Sequence, residues 1–351
     1  MTPRLHVLLG AGGVGKTTLA AGYALALATP GHRVGLLGID PSRRLQDALG
    51  VELADLDAQV PGAGPLRAAI VQPHQAIERW VREACTDRDA LGRLEHNPFF
   101  AALGDRLATA TDVLAAARIV EWVERDPGLT DLVVDTAPGV AAIDFLRSPR
   151  HIEALVKGRL IRWLRAIGRT GDGGFRFGAR RVVTAFAGLA GAPMVGDLAD
   201  FFVLVRAPLE RMLVRVERAR QWLQQADTSL LLVTSPRDTG AIGAVQLASA
   251  LRDEGLAPRA VIVNRTWPPE LAAELASGAF SPDAAAFVAY ARAQLRAQAA
   301  VLAAVETWAP TIVVLPSRPV LIEARRPALV ELGVSLSRAL SPTMSERRSV
   351  S

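Results

Sequence analysis

The chain has 351 residues, half of them hydrophobic, with a formal charge of +5, five histidines and one cysteine. That composition supports one large core or two smaller ones, while a single cysteine excludes an internal disulfide and a thiolate zinc site built by one subunit. The charge is small for the length and scattered, which disfavours nucleic acid as a partner, and no uninterrupted apolar run reaches the ~18 residues of a membrane span.

Leu5 to Leu9 (LHVLL) is a short apolar run that predicts a buried strand. It starts within a few residues of Met1, leaving no room for a signal peptide, and the expected compartment is the cytoplasm. Gly10-Ala11-Gly12-Gly13-Val14-Gly15-Lys16-Thr17-Thr18 follows, with the spacing G-x-x-x-x-G-K-[ST]. Such glycines let successive backbone N–H groups curl around a phosphate. Lys16 would reach the β- and γ-oxygens, and the Thr17 hydroxyl would ligate Mg²⁺. Only two of the forty basic side chains are lysines, Lys16 and Lys157, so an ammonium inside the loop marks a need that arginine's planar fork does not meet. Thr17 to Ala28 is a strong helix former whose dipole would face the anion. Gly12, Gly13, Val14, Gly15, Lys16, Thr17 and Thr18 are therefore the expected nucleotide contacts.

Further apolar runs at Arg33 to Ile39, Asp131 to Asp135, Ser229 to Thr234, Ala260 to Asn264 and Thr311 to Leu315 alternate with helical segments. Runs apolar on both faces, separated by helices, predict a mainly parallel sheet flanked by helices on both faces: an α/β P-loop NTPase with its ligand at the carboxyl ends of the strands. Between residues 135 and 229 no strand pattern is visible. Apolar residues recur at helical spacing over Ile152 to Ile167 and again from Asp197 to Gln225, with the loop Arg169 to Gly174 between them. We expect residues 1–148 and 226–340 to form the ATPase core, 149–225 an inserted helical subdomain, and the polar 341–351 a disordered tail. Cys85 lies in a helical-looking stretch and reads as a small hydrophobe.

The strand ends supply the remaining candidates. Asp135 closes a hydrophobic strand as a Walker B carboxylate should, where it would hold Mg²⁺; a turn former is the simpler role. Asp40 would orient the attacking water, the alternative being an Asp-Pro turn that starts the helix near Ser42. Asp47, further along that helix, reads as a surface residue. Asn264 would read the adenine edge, with Arg265 and Pro316 on the same rim, although a turn asparagine would look the same. Guanine-specific loops carry Asn/Thr-Lys-x-Asp, and neither lysine belongs to one, so ATP is favoured over GTP. The ABC-transporter signature LSGGQ is also missing.

Several segments together resemble the ArsA-type arsenite-pump ATPase family, whose eukaryotic branch delivers tail-anchored membrane proteins. Gly10 to Thr18 is similar to that family's G-K-G-G-V-G-K-T-T loop, and Asp40 to Leu49 (DPSRRLQDAL) to its D-P-A-H-N-L-S-D-A-F switch. Asp135-Thr136-Ala137-Pro138 resembles the opening of D-T-A-P-T-G-H, and Val263-Asn264-Arg265 its adenine-contacting strand end. The resemblance implies water activation by Asp40, phosphate and Mg²⁺ contacts by Lys16 and Thr17, a base contact by Asn264, and a homodimer with ATP at or near its interface. Three departures stand out. Ala11 occupies the place of a second loop lysine that reaches the partner's nucleotide, a role Arg43 or Arg44 would have to take over. Gly139-Val140-Ala141 replaces T-G-H. One cysteine leaves neither the arsenite thiols nor the Cys-x-x-Cys zinc clamp.

The expected function is thus a Mg-ATPase whose cycle is coupled to an apolar client or partner at the helical subdomain, although core packing alone would also explain the helical stripes. The alternative is a positioning or partition ATPase that meets membrane or DNA as a nucleotide-dependent dimer, with the basic amphipathic stretch Ile152 to Arg165 at a peripheral membrane contact. A small-molecule kinase would need an acceptor motif, and none is recognisable.

Overall fold

The computed structural model describes residues 3–40, 42–85, 87–101, 111–139, 192–236, 238–278, 280–317 and 325–340. Expectations for Pro41, Val140 and Ala141, Lys157, the stretch 152–165, the loop 169–174 and the tail 341–351 lie outside these residues.

In chain order the elements are β1 (Arg4–Gly10), α1 (Lys16–Leu27), β2 (Val34–Gly38), α2 (Arg44–Leu49), β3 (Ala58–Gln59), β4 (Leu66–Ile70), α3 (Pro73–Ala84), α4 (Arg88–Glu95), α5 (Thr111–Arg125) and β5 (Asp131–Asp135). There follow α6 (Ala192–Leu223), β6 (Thr228–Thr234), α7 (Asp238–Asp253), β7 (Ala260–Thr266), α8 (Pro269–Ser277), α9 (Ala285–Glu306), β8 (Ile312–Pro316) and α10 (Arg325–Leu340).

Two compact units share the chain. One comprises residues 1–70, 126–143 and 224–351, the other 71–125 and 144–223. The first holds an eight-stranded sheet of order β3-β4-β2-β5-β1-β6-β7-β8, in which every pair is parallel except β3 with β4. The α/β P-loop NTPase class expected from the sequence is what the chain adopts. In β2 and β5 every residue is buried, as strands covered on both faces require. Register aligns Leu8 and Gly38 with Asp135 and Gly10 with Val233, so the loops after β1, β2 and β5 open along one carboxyl edge.

β3 and β4 were not expected. Ala58 and Gln59 are exposed, and LRAAI interrupts its apolar residues with an arginine, so neither shows a strand pattern. Parallel pairing of β4 with β2 decides the conformation instead, and Arg67 is tied by a 2.7 Å bond to Asp57.

Helices α1 and α10 cross at their glycines. A Cβ on Gly22 would press on the Leu329 carbonyl, and one on Gly333 would run into the Gly22 carbonyl. Gly→Ala inside a helix ordinarily stabilises by ~0.5–1 kcal/mol. Here Gly22→Ala and Gly333→Ala should each instead cost about 2 kcal/mol through overpacking, read as a lower denaturant midpoint. A midpoint that rises in both would contradict this crossing.

In the second unit, α6 packs on α3, α4 and α5. The expected insertion covered only 149–225; the structure groups α3, α4 and α5 with α6, because their amphipathic faces bury one another. Glu121 is its polar centre, accepting bonds of 2.8 and 2.9 Å from Arg79 beside the fully buried Arg118. Arg118 lies over the Trp122 ring, 5.3 Å from its centroid.

Candidate active site

The loop between β1 and α1 is shaped by glycine. Gly13 (φ +78°) and Gly15 (φ +95°) take left-handed conformations that side chains resist, and a Cβ on Gly10 would collide with the Val233 carbonyl of the neighbouring strand. Lys16 opens α1 and turns its ammonium back, donating to Gly10 O at 2.8 Å and Ala11 O at 3.0 Å. Burial pushes that ammonium below its usual range, opposed by the charge of Asp135.

Asp135 ends β5 buried, with no hydrogen-bond partner for Oδ1 among the described residues. Burial raises its pKa to about 6, outweighing the Thr17 hydrogen bond and the Lys16 charge that favour ionisation. At the other end of the same strand, Asp131 goes the opposite way. Burial opposes its ionisation too, but bonds from His6, Arg4 and Thr130 hold its pKa below the usual carboxylate range. One aspartate is fully paired; the other bonds the Thr17 hydroxyl, lies within reach of the Lys16 charge, and keeps one oxygen without a partner among the described residues. A buried unpaired carboxylate oxygen next to Thr17 is the donor set that suits a hard divalent cation such as Mg²⁺.

The β5–loop junction is pinned to the glycine loop: Thr136 Oγ1 donates to Leu8 O at 2.7 Å and Gly139 N to Gly10 O at 2.9 Å. Thr136 gave no sign of this in the sequence beyond its place in the D-T-A-P segment.

Asp40 makes the turn that its sequence allowed. Its Oδ1 accepts from Ser42 N at 3.0 Å, and Oδ2 lies 3.8 Å from Arg44 Nη1. Its charge reaches both Lys16 and Asp135.

A cavity of about 820 Å³, within the usual range for cofactor sites, runs along the loop. Gly13, Gly15, Lys16, Thr17 and Thr18 line one side; Asn264, Arg265 and Pro316 line another. Gly12, exposed at the loop tip, and Val14, buried beneath it, do not line it. Arg44 and Asp47 do, so Asp47 is exposed as expected but faces the cavity, whereas Arg43 caps α2 outside it. Ser317, next to Pro316 at the end of β8, also lines it, and Leu329 completes a wall that no local sequence signal marked.

Asn264 has a second contact besides its place in the cavity wall. Its amide nitrogen donates to Val14 O at 2.8 Å, so the group foreseen as a base reader also holds the loop.

The family model for anion-transporting ATPases matches residues 4–278, a span that holds the loop, Asp40, Asp135 and Asn264. The chain belongs to this family. Its relatives include the ATPase GET3B of Arabidopsis thaliana, 25% identical over 76% of this chain and 65% of the relative. An uncharacterized protein of Streptomyces coelicolor is 31% identical over 77% of this chain and 64% of its own length. The arsenical pump-driving ATPase of Escherichia coli is 31% identical over 38% of this chain and 21% of that protein. This family member thus aligns with just under two thirds of the length of its first two relatives. No helix among its described residues is long and apolar enough to cross a membrane.

Proposed function

We propose that this member of the family is a Mg²⁺-dependent ATPase whose nucleotide cycle is coupled to an apolar client or partner at the helical unit, and that it works as a homodimer. The observation that carries the reading is the glycine loop at the carboxyl edge of the sheet, with Lys16 and Thr17 in the cavity wall and Asp135, outside that wall, bonded to Thr17 with its Oδ1 unpartnered among the described residues.

Thr17 and Asp135 would hold Mg²⁺, which supplies charge neutralisation at the phosphoryl oxygens. Backbone amides of the loop and the Lys16 ammonium bind the β- and γ-phosphates. Asp40 orients the attacking water; the water oxygen bonds to the γ-phosphorus as the β–γ bridging oxygen leaves with the electron pair, and the water's proton passes to a phosphate oxygen and on to solvent. One N–H of the Asn264 amide is donated to Val14 O, so its Oδ1 and its second N–H are the groups it would offer an adenine edge. Arg44 lines the same cavity as Lys16 and Arg265, and it supplements the single loop lysine that Ala11 leaves. The relatives' printed names support ATP as substrate. The membrane or DNA alternative depends on residues 152–165.

Asp40→Asn keeps the Oδ1 acceptor of the turn while removing the charge. It should bind ATP with unchanged affinity and hydrolyse it about 10²-fold more slowly. Undiminished turnover would remove Asp40 from the reaction, and trapping the variant with ATP allows retained clients to be identified.

A further inference from the structure

Successive side chains of a β-strand point to opposite faces. Asn264 and Arg265 break that rule, because both reach the same loop. Asn264 Nδ2 donates to Val14 O and Arg265 Nη1 to Gly13 O, each at 2.8 Å. The local backbone explains how. The register of β7 against β8 shifts between Asn264 and Thr266, and within that bulge Arg265 adopts φ +62°, alone among described non-glycine residues in being left-handed. Bulges re-aim side chains, and strain of this kind persists only where the surroundings hold it.

A trans peptide directs its carbonyl and the following N–H to opposite sides. Drawing the Gly13 carbonyl toward Arg265 therefore turns the Val14 N–H the other way, and drawing the Val14 carbonyl toward Asn264 does the same to the Gly15 N–H. Gly15 is also part of the device, since a Cβ there would collide with the Asn264 amide. Two neighbouring carbonyls that would otherwise repel an anion are taken up by strand-end donors.

We propose that Asn264 and Arg265 are positioning residues: a strand-end grip that fixes the peptide planes of Gly13 and Val14, so that the loop amides already face the phosphates before any nucleotide arrives. This rests on the nucleotide reading of the site. It assigns to the pair a role in binding the phosphates of any nucleotide, apart from base recognition.

The test compares the wild type with Asn264→Ala and Arg265→Gly. Glycine adopts φ +62° freely, so the second variant keeps the bulge and loses only the side chain. Amide hydrogen exchange at Val14 and Gly15 is followed in nucleotide-free protein, and calorimetry measures binding of Mg–ATP and Mg–tripolyphosphate, which has no base. Exchange should accelerate at both amides in both variants, and each variant should lose about tenfold in affinity for tripolyphosphate and at least as much for ATP, Asn264→Ala losing more for ATP because its base contact goes too. Unchanged exchange, or a loss confined to ATP, would overturn the grip. A wild type that binds neither ligand would overturn the nucleotide reading and this inference with it.

Discussion

Lys16→Ala should stop ATP turnover, with a fall of at least ~10³-fold, the scale seen when a preorganised charge is removed from a phosphoryl-transfer site. The ammonium sits within the loop it serves, bonded to Gly10 O and Ala11 O. Alanine removes the charge and leaves both carbonyls facing the site, Gly10 O still holding Gly139 N. Lys16→Arg should fail nearly as completely, because a planar fork does not fit two carbonyls converging on one point donor. Steady-state phosphate release measures both. Turnover in Lys16→Ala within tenfold of wild type would mean that the loop does not perform the chemistry.

Asp135→Asn should separate stability from activity. Burial raises this carboxyl from 3.8 to about 6, so between those values the folded protein holds a proton that the unfolded chain has released. Stability therefore falls as pH rises through that window, and the loss persists above it. A permanently neutral asparagine escapes the penalty. Without Mg²⁺ the variant should be more stable than wild type near neutral pH, by up to roughly 3 kcal/mol, and the difference should close below pH ~4. Its Mg-dependent turnover should drop by ~10²-fold or more, the several kcal/mol that a positioned cation supplies. Denaturant midpoints across pH, with phosphate release in parallel, check both. A variant less stable than wild type near neutral pH would mean that the Asp135 charge is satisfied in the fold.

Much of this was legible in the sequence, for physical reasons that differ by element. β1, β5, β6 and β7 announce themselves because strands covered on both faces must be continuously apolar, and the glycine loop does so because few other sequences can adopt its backbone. β4 did not, since the pairing of Arg67 and its alanine neighbours with β2 outweighs weak local preference. The Gly22–Gly333 crossing was hidden too: each glycine looks like a flaw in its helix until the other is opposite it.

Within the site, local order betrayed Lys16, Thr17 and Asp135. The second use of Asn264 was invisible, because its bond to Val14 spans 250 residues of chain and depends on a bulge that no period of the sequence encodes. Asp40 lay between these cases: the turn it forms with Ser42 was readable from Asp-Pro, whereas its electrostatic reach to Lys16 and Asp135 required the register of β2 against β5.

The central claim is that the loop from Gly10 to Thr18 grips a triphosphate. Calorimetric titration of Mg–ATP into nucleotide-free wild type and Lys16→Ala tests it most directly. The account predicts saturable heat in the wild type and a loss of at least ~10²-fold in affinity in the variant. No heat in the wild type, or equal heat in both, would contradict it.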